Sequence, residues 1–144
     1  MIVDRTTLGH RNDTHDAYQP KVFGIVGWKD SGKTTLIERI IREFAVRGFV
    51  VSTIKHAHHA FDIDQPGKES WRHRQAGATE VMVESDRRWA LMHELRGAPE
   101  PGMDELLRRM SPVDLVLVEG YKRGDHPKLE IYRASLGKTL LAPE

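Results

Sequence analysis

Residues 21–41 read KVFGIVGWKDSGKTTLIERII, and the local pattern changes twice within them. KVFGIVG is a β-branched apolar run, too short for a buried helix, and reads as a buried strand. From Leu36 onward Leu36, Ile37, Ile40, Ile41 and Phe44 fall on one helical stripe, with Gly48 placed to end it. Between strand and helix, Gly27-Trp28-Lys29-Asp30-Ser31-Gly32-Lys33-Thr34 satisfies G-x-x-x-x-G-K-[ST] at every fixed position. Glycines let such a loop curl so that successive N–H groups face phosphate oxygens, and the helix that follows adds its positive end. Lys33 is expected to reach the terminal phosphates, and the Thr34 hydroxyl to complete the shell of a Mg²⁺ ion. The stretch from Gly27 to Thr35, including Lys29, Asp30 and Ser31, therefore reads as a nucleoside-triphosphate cradle.

Outward from this unit, FVVSTIKH (49–56) is a second strand, and a crossover of this kind favours parallel strands. It is expected to end beside the first, so that its loop leaves the carboxyl edge of the sheet next to the phosphate loop. Residues 68–76 read as a short helix stopped at Gly77. TEVMVES and RRWALMHEL flank Ser85 and Asp86 as an antiparallel hairpin, although the turn residues are imperfect. MDELLRRM (103–110) is a short amphipathic helix, VDLVLVEG (113–120) belongs at the sheet centre, and KLEIYR (128–133) reads as an edge strand. The fold expected is α/β: a mostly parallel open sheet of the P-loop NTPase type with an antiparallel hairpin added. It should occupy residues 21–144, behind a poorly ordered leader over 1–20.

A phosphate loop normally works with an acidic residue at the end of a neighbouring buried strand. Glu119, where VDLVLVE meets Gly120, is the candidate to hold Mg²⁺ or position water, making it, with Lys33, the catalytic candidate. Asp114 lies at the opposite end of that strand and reads as a surface or capping residue. No Asn-Lys-x-Asp is present, so the residues alone leave the base open. KHAHHAFDIDQPGKES (55–70) is compatible with a divalent site built from His56 and His58 with Asp62 or Asp64, with a solvated loop, or with an anion-facing loop. The last is favoured: Asp64 in the outer Mg²⁺ shell, with Lys68, Arg72 and Arg74 available to a second phosphate-bearing ligand. Trp71 is assigned to packing, which leaves Arg72 to face the cleft.

Bulk composition agrees with one globular domain. The 144 residues are 39% hydrophobic and 30% charged, with net charge +1. A balanced charge without an interleaved basic and aromatic surface argues against nucleic acid as a partner. No apolar run reaches the roughly 20 residues of a membrane span, so no membrane partner is expected. The absence of cysteine removes thiolate chemistry and fits a reducing cytoplasm.

Three blocks, GWKDSGKTTL (27–36), TIKHAHHAFDIDQPGKESWRHRQAGA (53–78) and DLVLVEGYK (114–122) followed by PKLEIYR (127–133), resemble the MobB family of molybdopterin-guanine dinucleotide biosynthesis adaptors. The first block is common to phosphate-loop proteins, whereas the second is specific to this family. The resemblance implies a GTP-binding protein with weak GTPase activity, commonly a homodimer, that assists the guanylyltransferase attaching GMP to molybdopterin. It implies GTP and Mg²⁺ as ligands, and molybdopterin or the molybdenum cofactor as a bound ligand; the second ligand assigned above to Lys68 and Arg72 is then the pterin, with His56 and His58 as further cofactor-binding candidates open to pterin, metal or water. It also implies that family members continue past Glu144 with another strand and helix. A nickel-inserting GTPase and a small-molecule kinase using the same loop are the alternative readings.

Overall fold

The computed structural model describes residues 20–57 and 61–141. The expected leader, apart from Pro20, therefore lies outside the described residues, as do His58 and His59. Four parallel strands form the main sheet: β1 (Lys21–Val26), β2 (Val51–Lys55), β5 (Leu115–Glu119) and β6 (Lys128–Glu130), in the order β2-β5-β1-β6. A separate two-stranded antiparallel ribbon pairs β3 (Glu80–Glu84) with β4 (Trp89–His93). Helices α1 (Lys33–Val46), α2 (Glu69–Gln75) and α3 (Met103–Arg108) complete the regular structure, followed by a single 3₁₀ turn at Ala134–Leu136.

Strand β5 is central, as its apolar run required: Val116, Leu117 and Val118 are buried, so both faces of the strand are covered. Alternation along β5 sends Leu115, Leu117 and Glu119 to one side of the sheet. On that side Ile25 and Leu117 pack with Ile37 of α1, and Phe23, Leu36, Ile40, Ile41 and Ile131 surround them. The expectation that β2 ends beside β1 is corrected: β5 lies between them, registering with Val51–Lys55 on one side and Lys21–Ile25 on the other. The reason is burial. β2 carries Ser52, Thr53 and Lys55 and suits the edge, whereas β5 needs neighbours on both sides. The loop after β2 still leaves the carboxyl edge, but one strand further from the phosphate loop.

Local chemistry explains the ends of the elements. After α1 the Phe49 N–H donates to the Phe44 carbonyl and the Gly48 N–H to the Ala45 carbonyl, closing the helix as a Schellman motif. Gly48 takes the required left-handed conformation at φ 85°, and the Phe44 and Phe49 rings meet at 5.5 Å to seal the turn. In the hairpin the Ser85 hydroxyl replaces the missing glycine or asparagine chemistry. It donates to the Arg88 carbonyl and accepts from the Arg87 and Arg88 N–H groups. Asp114 caps as expected, its carboxylate accepting from the Val50 N–H at 2.7 Å. No helix among the described residues is long and apolar enough to cross a membrane.

Candidate phosphate-binding site

The loop between β1 and α1 is built on left-handed backbone. Gly27 (φ 147°), Asp30 (φ 64°) and Gly32 (φ 105°) all carry positive φ, which turns the chain back on itself around a hollow. Gly27 is also crowded: a Cβ there would sit 2.6 Å from the Ile131 carbonyl oxygen and 2.7 Å from Ser31 Oγ. Only hydrogen fits. Ser31 is 4% exposed, and its hydroxyl has no hydrogen-bond partner among the described residues. A buried unsatisfied hydroxyl is costly unless water or a ligand completes it. Lys33 folds its ammonium back to the Trp28 carbonyl at 2.7 Å, so the cation lies over the loop. Thr34 and Thr35 follow in the first turn of α1 and are exposed.

The loop is tied to the chain on both sides of β6. The Trp28 indole N–H donates to the Thr139 carbonyl at 2.7 Å, and the ammonium groups of Lys122 and Lys138 lie 4.6 and 5.7 Å from the Trp28 ring centre. Sequence reasoning gave Trp28 to the cradle but did not find Lys122 or Lys138. Their only signal was the tryptophan itself, an unusual choice for a loop that otherwise consists of small and charged residues. Lys29 and Asp30 are exposed at the tip of the loop.

At the carboxyl end of β5, Glu119 registers with Ile25 of β1 and Lys55 of β2, one strand from the start of the loop. The backbone around it is fixed closely: the His56 N–H donates to the Glu119 carbonyl at 2.9 Å, and Gly120 and Tyr121 both take positive φ. His56 Nε2 lies 3.0 Å from Glu100 Oε1, and its ring stacks at 4.7 Å on Tyr121. Burial, reinforced by the Glu100 charge, pushes the Tyr121 hydroxyl above its ordinary pKa. His56 thus stands near Glu119, held from two sides, while its expected companion His58 lies outside the described residues.

Asp64 has a different neighbourhood from the one expected for an outer Mg²⁺ ligand. Its carboxylate accepts from Ser70 Oγ at 2.8 Å and from Arg74 Nε at 3.2 Å. Arg74 also binds Asp62 and Glu94, each at 2.7 Å, and its side chain is only 10% exposed. The structure therefore places Arg74 inside a cluster with three carboxylates that bolts the loop after β2 to α2 and to the residue following β4, rather than facing a ligand. Arg96 adds to the bolt by donating to the Arg74 and Ala78 carbonyls. Lys68 and Arg72 are exposed, and Arg72 borders a shallow cavity of about 580 Å³ beside the half-buried Trp71. Among the described residues no three His, Asp or Glu side chains stand together as a metal site.

The Arg74 cluster has a pH signature. The hydrogen bond from Arg74 holds the Asp62 carboxyl below its ordinary pKa. A carboxylate with a lowered folded pKa stabilises the fold above the ordinary carboxylate range and loses that contribution as the pH falls through its folded value. Chemical denaturation between neutral pH and pH 3 should therefore show stability falling below about pH 4. Asp62→Asn should flatten that fall, and an acid dependence identical to wild type would show that the pair contributes nothing.

Comparison with known proteins agrees with the blocks described above. The family model for Molybdopterin guanine dinucleotide synthesis protein B, MobB, matches residues 22–144. The chain is 42% identical over 125 residues to the molybdopterin-guanine dinucleotide biosynthesis adapter protein of Haemophilus influenzae, covering 85% of this chain and 68% of that protein. It is 40% identical over 118 residues to the protein of the same name from Escherichia coli, covering 81% of this chain and 67% of that one. It thus spans about two thirds of the length of these relatives. Among solved structures, the crystal structure of Bacillus subtilis MobB superposes with a TM-score of 0.64 at 29% identity, covering 83% of this chain and 75% of that one. A MobB homolog from Bacillus stearothermophilus superposes with a TM-score of 0.59 at 34% identity, covering 81% and 70%. By its phosphate-type loop, its sheet and the family model spanning nearly all of its described residues, the chain belongs to the MobB family.

Proposed function

We propose that this protein is a GTP-binding adapter in molybdopterin-guanine dinucleotide biosynthesis, acting in the cytoplasm beside the guanylyltransferase that joins GMP to molybdopterin. The observation that carries the nucleotide reading is the loop: left-handed backbone at Gly27, Asp30 and Gly32 around the buried, unsatisfied Ser31 hydroxyl, at the amino end of α1. Family membership supports the pathway.

In this reading Lys33 leaves the Trp28 carbonyl and pairs with the terminal phosphates, while loop N–H groups bind the bridging oxygens. The Thr34 hydroxyl and the Glu119 carboxylate offer the hard oxygen donors that suit Mg²⁺. Mg²⁺, when bound, neutralises charge on the β- and γ-phosphates. Glu119 also positions water, and hydrolysis is weak because an adapter uses the bound state rather than the product. His56, with His58, Lys68 and Arg72, is proposed to face the pterin. Support comes from His56 standing beside Glu119 and from the exposed Arg72 at its cavity. Pairing of two copies is proposed as well, supported by Met82, Trp89 and Leu91, which form an exposed apolar stripe on one face of the β3–β4 ribbon.

Dinucleotide formation by the purified guanylyltransferase tests this function. Added wild-type chain should raise the rate in the presence of GTP, and the Lys33→Ala chain should not. Equal stimulation by both would show a scaffold that works without its nucleotide.

A further inference from the structure

The chain between β5 and β6, residues 120–127, is folded around a histidine ring. Near its start Tyr121 takes a left-handed φ of 51°, and the Gly124 N–H donates to the Tyr121 carbonyl at 3.0 Å to close a tight turn. Lys128, the first residue of β6, turns its ammonium back and donates to the Lys122 and Gly124 carbonyls. His126 lies inside this turn, wedged between two glycines. A Cβ on Gly24 of β1 would stand 2.6 Å from Nε2, and one on Gly124 would stand 2.6 Å from Cε1 and 2.7 Å from Nδ1. A side chain at either position would claim the space that the ring fills.

His126 Nε2 is buried and has no hydrogen-bond partner among the described residues. A neutral imidazole with its proton on Nδ1 leaves Nε2 as a bare lone pair, whereas a protonated ring must donate from both nitrogens. A proton on Nε2 would face Gly24 instead of an acceptor, and a buried charge left unsatisfied is costly. The Lys128 ammonium of β6 opposes a second positive charge, the Asp125 carboxylate of the loop itself favours one, and β1 brings only Gly24. Burial and Lys128 outweigh Asp125 and hold the ring below its ordinary pKa.

The same turn reaches the phosphate loop, because the Lys122 ammonium stands 4.6 Å from the centre of the Trp28 ring. We propose that His126 is a proton-operated latch: protonation drives the ring from its slot between Gly24 and Gly124, opens the 120–127 loop and withdraws Lys122 from Trp28. The phosphate loop then loses one of its ties to the chain around β6. The latch goes beyond nucleotide binding and does not depend on it. Its direction follows from linkage. In the open loop the ring has an ordinary pKa of about 6.5, and in the closed loop a lower one, so closure is fully favoured above that value. Below it the ratio of open to closed rises by at most about ten-fold per pH unit, until the pH passes the pKa of the closed form.

NMR of the full chain without nucleotide, from about pH 7.5 to about pH 5, follows the His126 ring and the Trp28 indole N–H together. His126 should titrate below about 6.5, and the Trp28 signal should shift with the same midpoint. His126→Gln fills the slot without titrating, so Trp28 should keep its neutral-pH position throughout. Lys122→Ala should remove the Trp28 shift while His126 still titrates. A His126 midpoint at or above the ordinary value would show that the ring is not shut in, and would overturn the latch. A Trp28 signal that ignores the His126 titration, or shifts equally in His126→Gln or Lys122→Ala, would overturn it as well. The wild-type and Lys122→Ala titrations decide on their own if His126→Gln fails to fold.

Discussion

Lys33→Ala should weaken GTP binding by about 100-fold, the upper range for losing a charge-assisted contact to phosphate. The loss should fall on binding alone. Lys33 is partly exposed, and its one side-chain hydrogen bond is to the Trp28 carbonyl within the loop itself. No core residue leans on it, so unfolding free energy should stay within about 0.5 kcal/mol of wild type. A fluorescent-nucleotide titration beside a urea denaturation curve checks both halves. Lys33→Arg is a useful companion. The planar fork is bulkier than an ammonium and does not fit a cradle shaped for a point charge, so it should rescue little.

Gly27→Ala should be damaging in both stability and binding. The added methyl would meet the Ile131 carbonyl at 2.6 Å and Ser31 Oγ at 2.7 Å, and the backbone at φ 147° is strained for any L-residue. Neither neighbour can move cheaply. Ile131 follows β6 and its N–H bonds the Val26 carbonyl, while Ser31 is packed in the loop. Strain and overpacking together should cost about 3 kcal/mol, and the displaced Ser31 and Ile131 should open the cradle and abolish nucleotide binding. Gly48→Ala is the control: its φ is also positive, but nothing lies within 4 Å of the added Cβ. It should cost about 1 kcal/mol and leave binding intact. Equal stability losses from the two variants would show that crowding at Gly27 is not what the loop depends on.

Much of the fold was legible because its signals are local. The loop motif, the stripe on α1 and the apolar run of β5 each lie within a window of ten to twenty residues, and the hairpin appears around Ser85 and Asp86. Strand order was not legible. β5 enters between β1 and β2 from about sixty residues beyond β2, and nothing in β2 announces which neighbour it takes. The same limit applies to side chains. Arg74 read as a ligand-facing cation because, with Lys68 and Arg72, it follows the strand whose loop leaves the carboxyl edge of the sheet. The structure gives it Asp62 and Asp64 from the preceding loop and Glu94 from the far side of the hairpin. Trp28 meeting Thr139 and His56 meeting Glu100 are likewise pairings across long stretches of chain, visible only once the sheet has brought their loops to one edge.

The most direct test is equilibrium dialysis of GTP with Mg²⁺ against the wild-type chain. One nucleotide per chain, taken up saturably, released by excess pyrophosphate and absent from the Lys33→Ala variant, is the expected result. Uptake that never saturates, or that is the same with and without the Lys33 ammonium, would contradict nucleotide binding at this loop.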